Sequence, residues 1–95
     1  MDKRLTNADP ERDKELRKAL FAGVQNNELS IAQAVKLMQR VSKLTQPEFA
    51  QHRGISLQAL RQITSGSANP TVETLNKIAD VFGLEVGFVP KKPPR

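Results

Sequence analysis

The chain has 95 residues, 15 of them basic and 10 acidic, with a net charge of +5, one histidine and no cysteine. That length allows one small domain with little spare stability. Without cysteine there is no disulfide scaffold or thiolate metal site, His52 cannot build a metal centre alone, and no run nears the ~18 apolar residues of a membrane span.

The charge is unevenly placed. Residues 1–29 carry six basic and six acidic side chains, whereas residues 30–95 carry nine basic and four acidic ones, with Lys91, Lys92 and Arg95 at the end. A polyanionic partner is suggested, though a solvated surface gives the same sum.

In chain order, Asp9-Pro10 reads as a capped helix start, and Leu16, Ala19, Leu20 and Val24 recur at helical spacing to give one narrow apolar stripe. "NNE" interrupts this helix. Ser30 can cap a second, in which Ile31, Ala34, Val35, Met38 and Val41 form another stripe. Thr45 and Glu48 have capping-box spacing around Pro47, predicting a short third helix to about His52. Gly54 has the place of a positive-φ stop, and Ser56 caps a fourth helix only two residues later, so the two helices must cross. "SGSANPT" is a loop. Thr71 then caps a fifth helix with Val72, Leu75, Ile78, Ala79 and Phe82 inward and Gly83 as its stop. In "LEVGFVP", Val86 and Phe88 alternate with Glu85 and Gly87, which predicts a short strand ended by Pro90, and "KKPPR" reads as a tail without fixed structure.

The window "QPEFAQHRGISLQALRQI" contains what two crossing helices need: a small residue, Ala50, at the close approach, Gly54 in the turn, and Phe49, Ile55, Leu60 and Ile63 to lock the crossing. At about 100° per residue, Ala59, Leu60 and Ile63 share one side of the fourth helix. Leu57, Gln58, Arg61, Gln62 and Ser65 fill the other.

The longer stretch "LTQPEFAQHRGISLQALRQITSGSANPTVETLNKIADVFGLE" resembles the helix-turn-helix of the Xre/Cro family of phage repressor-like proteins. The likeness lies in the "TQ…E-hydrophobic-A" start, the "G-hydrophobic-S" turn, the glycine after the fourth helix and the "NP-T…TL..IA..hydrophobic-G" pattern of the fifth, over roughly residues 30–84. It implies a mainly all-α, five-helix repressor-like domain at residues 30–83, with an extra N-terminal helical arm at 1–29 and a dimerisation strand and basic tail at 84–95. It also implies that the helix over residues 56–65 lies in the major groove of double-stranded DNA. The positions matching base contacts are Leu57, Gln58, Arg61 and Gln62; Gln46 matches a residue that holds a phosphate and braces that helix.

The side-chain chemistry agrees. Gln can bond an adenine edge, Arg a guanine edge, and Leu57 can meet a thymine methyl. Further phosphate contacts are expected from Arg53, Ser67, Asn69 and Thr71. Arg53 has a second reading, in which its methylene stem covers the edge of the core. His52 reads as a solvent-facing helix end. Gln39 and Thr64 stand where many relatives carry a buried Glu–Arg pair, so that brace is not expected.

The resulting expectation is a transcriptional repressor, acting in the bacterial or phage-infected cytoplasm as a homodimer on an inverted-repeat operator. The ending "GLEVGFVPKK" resembles that of HipB-like antitoxins, in which a C-terminal strand pairs with its two-fold mate, here through Val86 and Phe88. By that likeness the alternative is an antitoxin that also binds and neutralises a protein toxin.

Overall fold

A computed structural model gives the fold and describes residues 10–91. Five α-helices follow one another: α1 (Pro10–Gln25), α2 (Ile31–Ser42), α3 (Gln46–Arg53), α4 (Leu57–Ser65) and α5 (Val72–Ala79), with a 3-10 turn at Asp80–Phe82. The expected cap Asp9 and the tail beyond Lys91 lie outside the described residues.

Local chemistry accounts for the helix boundaries. Ser30 and Thr45 each form a reciprocal capping box, with Gln33 and Glu48 respectively, while Ser56 and Thr71 each accept one first-turn amide. These contacts satisfy N–H groups that have no acceptor inside the helix. At the other end of α3, Gly54 has φ 70°. Its N–H donates to the Gln51 carbonyl at 3.2 Å and that of Ile55 to Ala50 at 3.0 Å, closing the turn from both sides.

The core gathers one or two residues from every helix: Leu20, Val35 and Met38, Phe49 and Ala50, Leu60 and Ile63, Ile78 and Ala79. α1 packs on α2, and α2 and α3 pack on α4. Leu20 is completely buried, so α1 is part of the same core. Its stripe is narrower than its spacing predicts, since Ala19 and Val24 are exposed and Gly23 takes the second buried position. A Cβ on Gly23 would stand 2.6 Å from Leu29 Cδ1. The missing side chain is what lets the α1–α2 connection fold back against α1.

Two further expectations are corrected. Ile31 and Val72, both predicted to point inward, are 53% and 59% exposed. Each is the first residue of its helix, where the opening turn overhangs the edge of the core. The predicted C-terminal strand is absent: residues 84–91 have no regular structure, and no strand occurs among the described residues. A strand requires a neighbour to take its backbone bonds. Here the backbone is held by side chains, with the Val86 N–H donating to Asn76 Oδ1 at 2.8 Å and the Pro90 carbonyl accepting from Asn27 Nδ2 at 3.2 Å. No helix among the described residues is long and apolar enough to cross a membrane.

Candidate nucleic-acid interface

α4 divides into two faces. Leu60, Ile63 and Thr64 are sunk in the core, and Gln58, Arg61, Gln62 and Ser65 are exposed, with Leu57 half-buried beside them. The core residues come from α4's fit against α2 and α3, which fixes its roll, so the opposite face is presented in one orientation. Leu57, Gln58, Arg61, Gln62 and Ser65 together line a single shallow hollow. All four expected base-contacting residues are therefore brought together, and Ser65 joins them. Helical angle alone had placed Ser65 on this face, although it was not among the expected contacts.

The start of α3 reaches the same surface. Arg61 Nε donates to Gln46 Oε1 at 3.4 Å, a weak bond between residues 15 apart in the chain. It orients both groups: Gln46, accepting through its oxygen, keeps its amide NH2 free to donate, and Arg61 keeps its terminal nitrogens. Neither helix's own periodicity predicts this bond, because it depends on the crossing angle that Ala50 and Gly54 permit.

The loop after α4 is closed by Gly66, with φ 79°, whose N–H donates to Ile63 at 3.1 Å, while the Ser67 N–H donates to Gln62 at 3.1 Å. The Ser65 and Ser67 hydroxyls are 2.8 Å apart, so the loop is tied to the exposed face of α4. Asn69 is exposed. Thr71 is exposed too, but its hydroxyl accepts from the Thr74 amide at 3.1 Å and donates to the Thr74 hydroxyl at 3.0 Å. Gln39 and Thr64 go to separate partners: the Gln39 amide donates to the Leu44 carbonyl at 3.1 Å and the Thr64 hydroxyl to the Arg61 carbonyl at 3.2 Å.

Arg53 stands apart from this surface. Its guanidinium lies over the Phe49 ring at 4.5 Å and the Phe82 ring at 5.8 Å, and Nη2 donates to Ser42 Oγ at 3.3 Å. Burial pushes its pKa below the ordinary arginine value. Sequence reasoning could not pair Arg53 with Phe82, because the two meet only when the 3-10 turn folds over the end of α3. Val86 and Phe88 are remote in the chain and exposed.

Residues 39–89, more than half of the chain, match a helix-turn-helix family model. No curated protein and no solved structure matches the chain. The match begins in the last turn of α2 and spans α3, α4, α5 and the segment after Gly83, leaving α1 outside it. With the crossing, the caps and the matched segment coinciding, the chain belongs to the Xre/Cro-type helix-turn-helix family.

Proposed function

We propose that this protein, as a helix-turn-helix regulator of transcription, is a dimeric repressor of an inverted-repeat operator, with α4 in the major groove. Leu57, Gln58, Arg61 and Gln62 meet base edges: the two glutamines suit adenine, Arg61 guanine, and Leu57 a thymine methyl. Gln46 and Ser67, hydrogen-bonded to residues of this face, and Asn69 and Thr71, further along the loop after α4, meet phosphates, Thr71 through whatever its capping role leaves free. Arg53 is left out of this set, because its guanidinium lies over Phe49 and Phe82 and lines a different hollow from that of α4.

The observation that carries the reading is the single polar hollow on α4, opposite a face wholly spent on the core and braced by Arg61 and Gln46. One such helix reads only a few base pairs. Two copies on half-sites roughly 34 Å apart supply useful specificity. Val86 and Phe88, exposed on a segment whose backbone lacks a strand partner, support pairing of two copies through residues 84–91.

The same exposed apolar side chains suit a protein toxin, the antitoxin alternative. Purification from the native host decides between them: a homodimer supports the plain repressor, and a stoichiometric second polypeptide supports the antitoxin. DNA binding is tested by footprinting upstream of the protein's own gene. Protection of two symmetric half-sites about one helical turn apart is expected. Uniform protection at all sequences would refute specific recognition.

A further inference from the structure

Arg53 holds a charge that the fold does not neutralise. Its side chain is half-buried, flanked by two aromatic rings, yet among the described residues no carboxylate is paired with it. Its sole hydrogen bond runs from Nη2 to Ser42, and Nε is a buried side-chain nitrogen without any acceptor. A cation partly withdrawn from water, with its Nε–H buried and unpaired, carries a cost that the contacts with Phe49 and Phe82 offset only in part.

The guanidinium opens on a hollow of about 410 Å³ where α1, the α2–α3 connection and the 3-10 turn meet. Phe21, Val41, Val81 and Phe82 form apolar walls, and Arg17 and His52 stand in the lining with Arg53. No acidic residue lines it. Asp13, one helical turn before Arg17, is held by Lys43 at 2.6 Å. The size suits one small molecule. Apolar walls around a single fixed guanidinium match an acid with a compact apolar body better than a bare, strongly hydrated anion.

We propose that this hollow is a binding site for a small organic acid, whose carboxylate pairs with the Arg53 guanidinium and whose apolar body lies between Phe21, Val81 and Phe82. Arg17 at the rim adds attraction for the carboxylate. The site shares no lining residue with the α4 hollow, so the proposal stands independently of the DNA-binding reading.

The test uses the full chain, with benzoate and 3-phenylpropionate as probes, benzamide as the uncharged control and inorganic phosphate as the bare anion. Saturable shifts of the Arg53 Nε–H and Val81 methyl signals in NMR spectra are expected with the carboxylates, together with a rise in melting temperature. Arg53→Gln, checked as folded by its amide spectrum, is expected to weaken binding about tenfold or more, the usual scale for a charge-assisted pair. Arg17→Gln, at an exposed rim position, weakens it several-fold; if the Arg53 variant does not fold, this variant and the benzamide control carry the test. Absence of saturable shifts with both carboxylates, equal shifts with benzamide, or equal shifts with phosphate would each overturn the proposal.

Discussion

The α3–α4 pair and the segment after Gly83 both carry large apolar side chains but stand in opposite conditions. In the pair, each helix start has a capping side chain, both glycine-terminated ends are closed by two backbone bonds, and Phe49, Ala50, Leu60 and Ile63 are buried. In residues 84–91, Val86, Phe88 and Val89 are exposed, and the backbone is fixed by two borrowed side-chain amides. The difference is that the pair buries its apolar side chains within this chain, whereas Val86, Phe88 and Val89 stay exposed in it. A helix satisfies all but its end groups from within; a strand needs a second strand.

The sharpest way to break the contrast is to remove a buried anchor from the complete region. Leu60→Ala should cost about 2–5 kcal/mol, because it deletes a fully buried side chain where α4 meets α2 and α3. Denaturant unfolding measures this, and a loss below about 1 kcal/mol would show that α4 is not anchored as described. Next in size is Gly23→Ala. The added Cβ would meet Leu29 at 2.6 Å, and a loss of about 1–3 kcal/mol is expected from the forced shift. A neutral or stabilising result would mean that the α1–α2 connection yields freely.

Three variants probe the surfaces that the contrast separates. Gln58→Ala and Arg61→Ala should each cost about 1–3 kcal/mol of discrimination between operator and random DNA, with melting temperature nearly unchanged. Equal operator binding by wild type and both variants would remove α4's exposed face from recognition. The smallest effect on the fold is expected from Phe88→Asp, since that side chain is fully exposed. Sedimentation should show weaker self-association, and operator affinity should fall with it. An intact dimer would place the interface elsewhere.

The architecture was legible because its signals are local. Ser30, Thr45, Ser56 and Thr71 act within one turn of where they stand, Gly54 needs only a positive φ, and the 3.6-residue period separates Leu60 and Ile63 from Gln58, Arg61 and Gln62. Period alone misjudged Ile31 and Val72, because it gives a direction around the helix and not a depth in the core. Alternation misjudged residues 84–91 for a related reason. It marks which side chains agree in direction, whereas a strand also requires a partner.

What the sequence by itself determined is therefore the helices, the capped starts of α2 to α5 and the polar set on α4, each set by residues within a few positions of one another. The fifth helix, expected to run to Gly83, ends instead at Ala79 and gives way to a 3-10 turn. Tertiary structure alone decided that Arg61 would be the residue through which Gln46 braces α4, that Gly23 would admit Leu29, and that Arg53 would lie against Phe49 and Phe82. Those contacts join residues on different elements, and their geometry depends on crossing angles and depths that no local pattern encodes.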